Sequence, residues 1–169
     1  MACAQTIKGL VQDCSTSMGG IKAVWMADYV EDAATIDSAT TEVTDFSSAI
    51  TWHKYYFRKN TGSMTQTLNV DDANGVNYVS TELSLVFTKM ETAKRIEMAA
   101  LATADVMIVV EDCNGKRFFL GESNPVACTA GAGETGTAKT DGNRYTITLT
   151  DENVSYPRLL HSSVVLNEN

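Results

Sequence analysis

The stretch Tyr78–Thr88 (YVSTELSLVFT) decides how the chain folds, because Val79, Thr81, Leu83, Leu85 and Phe87 alternate with Tyr78, Ser80, Glu82, Ser84, Val86 and Thr88. Successive side chains of an extended strand point to opposite faces, so this run has one face for a core and one for water. The same period of two recurs on both sides of it. Ile21 to Tyr29 sets Ile21, Ala23, Trp25, Ala27 and Tyr29 against Lys22, Val24, Met26 and Asp28, and Tyr145 to Thr150 sets Tyr145, Ile147 and Leu149 against three threonines. Ser48 to Arg58 is rich in aromatic residues and reads as a central strand.

Turn chemistry joins these strands. Met64 to Val70 pairs with Tyr78 to Phe87 if Asp71 to Asn77, with its Asn74-Gly75 step, forms the loop of a long hairpin. Asp105 to Asp112 and Lys116 to Gly121 flank Asn114-Gly115, a dipeptide that suits the two positive φ angles of a type I′ turn. One segment reads as a helix, Lys89 to Thr103, with Ala93, Ile96, Ala100 and Leu101 on one face and Thr88 and Glu91 spaced as a capping box. Many antiparallel strands with a single helix predict a mainly β fold, an antiparallel β-sandwich or barrel with one flanking α-helix. A length of 169 residues with two prolines and no internal repeat predicts a single domain over 1–169. Two stretches without a core period, 30–47 and 121–143, read as long loops; the second contains five glycines.

Composition narrows the function. A net charge of −8, from 21 acidic and 13 basic residues, opposes binding through phosphate neutralisation, and the densest basic cluster is only Arg58-Lys59 with Lys54 nearby. Met1 to Leu10 lacks the apolar core of a signal peptide, and no stretch approaches the ~18 apolar residues of a membrane span, so a soluble product made in a cytoplasm is expected. Cys3, Cys14, Cys113 and Cys128 form no Cys-x-x-Cys pair and have no histidine at ligand spacing, which predicts four reduced thiols, with Cys113 the most exposed.

No motif for chemistry survives its context. Gly131 to Gly136 matches G-x-G-x-x-G, but no helix starts inside it to face a pyrophosphate, and Thr137 and Ala138 separate Gly136 from Lys139, which breaks the phosphate-loop pattern. A flexible loop is the expectation there. His53 and His161 lie in no nucleophile motif. Glu31, Asp32, Asp37, Glu42 and Asp45 lack the register of a calcium loop and read as a solvated acidic edge, as do Asp71 and Asp72. Trp25, Trp52, Tyr55, Tyr56 and Phe57 read as core and subunit contact, since a single-strand stacking platform would also need a basic groove. The expectations are therefore no catalytic residue, no cofactor, no metal, and a non-enzymatic protein that associates with itself.

Several segments resemble the tail tube proteins of bacteriophages, especially those of phages and prophages of gut Bacteroidetes. They are Lys94–Leu101 (KRIEMAAL) followed by Val109–Lys116 (VVEDCNGK), the Phe119-Leu120-Gly121 ending, the approach from Thr135–Ala138 through Asp141–Asn143 to Tyr145–Leu149 (YTITL), and the entry from Cys14 through Gly19-Gly20 to Ile21. The resemblance implies a subunit whose strands join those of neighbouring copies into a ring of six, with rings stacked into a tube in the virion that guides DNA passively. Its partners would be copies of itself and other tail or neck proteins, with no specific DNA contact and no membrane. Asp71 to Asn77 and Glu31 to Phe46 are the candidates for the stacking hairpin. A neck or connector ring, a capsid-decoration protein and, in another class, a carbohydrate-binding β-sandwich using Trp25 and Trp52 are the alternatives.

Overall fold

The computed structural model describes residues 9–12 and 14–169; Cys3 lies outside them, as does most of the Met1 to Leu10 segment. The elements in chain order are β1 (Ile21–Asp28), β2 (Ala34–Ile36), β3 (Val43–Phe46), β4 (His53–Tyr55), β5 (Ser63–Asp71), β6 (Val76–Thr88), α1 (Thr92–Leu101), β7 (Val106–Asp112), β8 (Arg117–Leu120), β9 (Ala127–Glu134), β10 (Arg144–Asn153) and β11 (Arg158–Leu159). They form a five-stranded sheet in the order β11-β8-β7-β1-β4, a four-stranded sheet in the order β5-β6-β10-β9, and the β2-β3 hairpin. All pairings between named strands are antiparallel. The fold is mainly β and sandwich-like with one helix, and it is not a closed barrel.

The alternation of Tyr78–Thr88 is realised: Leu83, Leu85 and Phe87 of β6 join Ile147 and Leu149 of β10 against Val24, Met26, Ile108 and Val110 of the other sheet. This is the inter-sheet core. Each such side chain taken fully out of water contributes roughly 1.5–3 kcal/mol. β1 departs from the half-buried pattern, because Ala23, Trp25 and Ala27 pack into a second core with Met107, Val109, Phe46, Trp52 and Phe119. With Val24 and Met26 in the inter-sheet core, both faces of this strand are interior. A β-bulge between Ile21 and Ala23 turns Ile21 to the side of Val24 and Met26, which uniform alternation would forbid.

The second core accounts for the largest corrections. The stretch 30–47 is not a long loop: β2 and β3 pair there, and Val43 and Phe46 face inward under the five-stranded sheet. Asp37 closes the turn by accepting from the Ala39 amide (2.9 Å) and the Thr40 hydroxyl (3.0 Å). Ser48 to Arg58 is not central either, since β4 is a three-residue edge strand. Trp52, only 1% exposed, packs edge-on to Phe46 at 5.1 Å. The C-terminal segment completes this layer. Trp52 N donates to Asn167 O (2.8 Å), Asn169 N to Trp52 O (3.2 Å), and Trp25 Nε1 to Glu168 Oε1 (2.7 Å).

The stretch 121–143 likewise contains a strand. Val126 pairs with Val106 of the five-stranded sheet, and the chain then enters β9, which follows β10 from Ala127↔Thr150 to Glu134↔Arg144. Small residues concealed the strand, and its backbone pairing supplies what its side chains lack. The helix is shorter than Lys89 to Thr103 and begins without a side-chain cap at Glu91, so the Thr88–Glu91 box does not form. Leu101 and Met98, not Ile96, attach it to the core; Ile96 is exposed. At the β7–β8 turn only Gly115 has a positive φ (+79°), and the Asp112 carboxylate accepts from the amides of Asn114 and Lys116. This is a type I turn closed by a left-handed glycine, not a type I′ turn.

Candidate functional site

The residues singled out for chemistry lie apart. His53 is exposed on β4, and His161 Nδ1 is 2.8 Å from Ser163 Oγ in a local contact two residues away. Cys14 is exposed while Cys113 and Cys128 are half-buried, which reverses the expectation for Cys113; its Sγ lies against Gly20. Among the described residues no three of His, Cys, Asp and Glu converge as a metal site. No helix among them is long and apolar enough to cross a membrane. Gly131 and Gly133 sit in β9 rather than in a flexible loop. A Cβ on Gly133 would come within 2.9 Å of Met90 Cε and 3.0 Å of Tyr145 Cε1, so this glycine admits neighbouring side chains rather than a phosphate.

The acidic residues are occupied with turns. The Asn74 side chain (2.7 Å) and the amides of Asn74 and Ala73 hold the Asp71 carboxyl below its usual range, at the tip of the β5–β6 hairpin. The amides of Ala138 (2.7 Å) and Thr137 (2.8 Å) do the same for Asp141, ahead of β10. Tyr55 donates to the Glu97 carboxylate and so ties β4 to α1; burial, then this bond, pushes its phenol well above the usual value. Trp25 and Trp52 are buried, so they offer no platform for a sugar, while Tyr56 is 80% exposed. Lys54 Nζ lies 4.9 Å above the Trp25 ring and 5.8 Å from that of Tyr56.

The feature that stands out is the four-stranded sheet. Its end strands, β5 and β9, are nine and eight residues long, and each has a neighbour within the sheet on one side only. Neither contains proline or lysine, and their charged residues, Asp71 and Glu134, stand at the strand ends. Proteins normally blunt such edges with charge, proline, bulges or shortness; of these devices β9 has one register irregularity, at Thr129. The β5–β6 hairpin also runs past the core: Leu68 is 49% and Val70 57% exposed, although both lie on the face that Val79 and Leu83 bury lower down. Val76 and Tyr78 are exposed on its other face.

The outward face of this sheet is a field of hydroxyls. Thr65 and Thr67 of β5, Ser80 and Ser84 of β6, and Thr146, Thr148 and Thr150 of β10 share it with Glu82 and Glu152. Its one cation along these strands, Arg144, is paired with Glu134 at 3.0 Å. Sequence reading found the hairpin and the β6 alternation but missed β9; the regular strand Tyr145–Thr150 beside a glycine-alanine run was the signal available. No protein-family model matches the chain, and no curated protein matches it.

Proposed function

We propose that the chain is a structural subunit that joins copies of itself through the edges of its four-stranded sheet, forming a ring that stacks into a tube. The observation that carries this reading is the pair of long edges without proline or lysine, β5 and β9, at opposite ends of one sheet. Pairing β9 of one copy with β5 of the next satisfies both rows of backbone groups and closes on itself in a cyclic assembly. Six copies is the number implied by the resemblance to phage tail tube proteins.

The hydroxyl-rich face is open, because the opposite face of the sheet is filled by the core, and in the proposed ring it is assigned to the inside. A wall of threonine and serine with Glu82 and Glu152 and no unpaired cation along β5, β6 and β10 gives phosphates nothing to grip, which suits a passive conduit for DNA in a virion. The overhanging hairpin, with Leu68, Val70, Val76 and Tyr78 exposed, is the natural contact between rings or with other tail or neck proteins.

Negative-stain electron microscopy of the purified protein over a range of concentration and salt tests this. Tubes with a regular axial repeat are the expected result. Single rings would favour a neck or connector role, and monomers under every condition would overturn the reading.

A further inference from the structure

Asp151 is the one ionisable side chain that is fully buried among the described residues, at 2% exposure. Its environment suits a neutral acid better than an anion. Among the described residues no cationic side chain forms a salt bridge with it. The charged groups that bear on it are acidic, Glu122 from the segment after β8 and Glu152 from its own strand, and the nearby Arg158 of β11 is engaged with Glu122 at 2.7 Å. On β6, Glu82 neighbours Thr81, the residue paired with Asp151, and points to the opposite face of the sheet. Burial pushes the carboxyl up from its ordinary value.

The neighbours of Asp151 specify where a proton would go. Asn153 lies two residues on and faces the same way; its Nδ2 donates to Asp151 Oδ1 at 2.6 Å, while its Oδ1, buried, has no hydrogen-bond partner among the described residues. An amide oxygen can only accept, so it requires a donor. The Gly121 backbone, from the end of the other sheet, also bears on Asp151 and favours its charged form, an effect smaller than that of burial. Gly121 is fixed there: its φ is +91°, and a Cβ would stand 3.1 Å from Met107 Cα. Thr81, paired with Asp151 across the strands, also has a buried hydroxyl without a partner among the described residues.

We propose that Asp151 carries a proton in the folded protein and closes an acid–amide ring with Asn153, in which Asp151 Oδ2–H donates to Asn153 Oδ1 and Asn153 Nδ2–H donates to Asp151 Oδ1. The ring makes the stability of this corner of β10, at the root of the overhanging β5–β6 hairpin, depend on that proton. Loss of the proton removes one of its two hydrogen bonds and leaves a buried anion among acidic neighbours, offset only in part by the Asn153 amide and the Gly121 backbone, which favour the charged form. The inference rests on the fold alone and holds whether or not the chain forms a tube.

Carboxyl carbon-13 NMR of the intact chain, titrated with acid and base, tests it directly. Asp151 is expected to titrate well above the ordinary aspartate value of about 3.9. A midpoint at or below that value overturns the proposal. The sign for stability follows: the contribution is fully present below the unfolded value and is lost as pH rises through the raised folded value. The thermal midpoint of the wild type should therefore fall by several degrees across that window. Asp151→Asn can form the corresponding amide–amide ring at every pH, so its midpoint should stay level. The same downward slope in the variant would sink the proposal, and if the variant fails to fold the NMR titration still decides.

Discussion

The two sheets treat their edges in opposite ways. The five-stranded sheet ends in β11 and β4, two and three residues long, and the C-terminal segment continues past both: Leu160 bridges Val43, and Glu168 bridges Trp52. The four-stranded sheet ends in strands of nine and eight residues, and among the described residues no such segment pairs with them. Since both sheets contribute to one core, the difference does not reflect overall stability. One sheet is finished by the chain's own C-terminal segment, and the other ends in its two long strands.

Breaking the finished side should cost most. Phe46 packs edge-on to both Trp52 and Phe119 at 5.1 Å, so Phe46→Ala is expected to lower unfolding free energy by about 3–5 kcal/mol in urea denaturation. A loss under about 1 kcal/mol would mean that the second core is dispensable. Arg117 fastens the C-terminal segment, its guanidinium donating to the carbonyls of Val164 (2.8 Å) and His161 (3.0 Å). Arg117→Ala should cost about 2 kcal/mol and speed amide exchange at Trp52 and Asn169 before that of β6.

Closing the open side should do the reverse. Thr67→Lys on β5 with Ala130→Lys on β9 places a cation on each exposed edge strand, and the monomer should keep its stability to within about 0.5 kcal/mol. Assembly, read by sedimentation and microscopy, should be lost. Assembly of the double variant equal to that of the wild type would remove the edges from the interface. The smallest effect concerns the exposed turns on both sides. Asp37, Asp71 and Asp141 have lowered folded values, so their contribution is present above about pH 3.9 and is lost as pH falls through those values. Changing all three to Asn should flatten the acid limb of the stability curve below pH about 4 while leaving the Asp151 window above it unchanged.

The legible parts of this fold were those where side chains state their face. The alternation in Tyr78–Thr88 and Tyr145–Leu149 marks strands whose inward residues fill the core between the sheets. β9 was illegible because Ala130, Gly131, Ala132 and Gly133 have almost no side chain to pattern, so the strand exists through its pairing with β10. The second core was hidden for a different reason. It is assembled from single residues far apart in the chain, such as Val43, Trp52, Phe119 and Val164, and no local period reports such a layer. The helix face differs because Ile96 invites burial by composition, yet the residue is 58% exposed. Asp151 and Asn153 were readable in principle: they continue the inward register of Ile147 and Leu149, and two polar residues in that register announce a buried polar corner.

The partner of β1 has a consequence for how the protein is made. Met26 pairs with Ile108 and Trp25 with Val109, so the first strand cannot find its main neighbour until much of the chain has left the ribosome. At roughly 5–20 residues per second that wait lasts several seconds, during which a strand destined for burial on both faces is bare. Pairing with β4, available earlier at Val24↔Tyr55, gives it a provisional companion. Non-local pairing of this kind makes folding slow, and it places the greatest demand for protection by chaperones on nascent chains that have passed β4 but have not yet delivered β7.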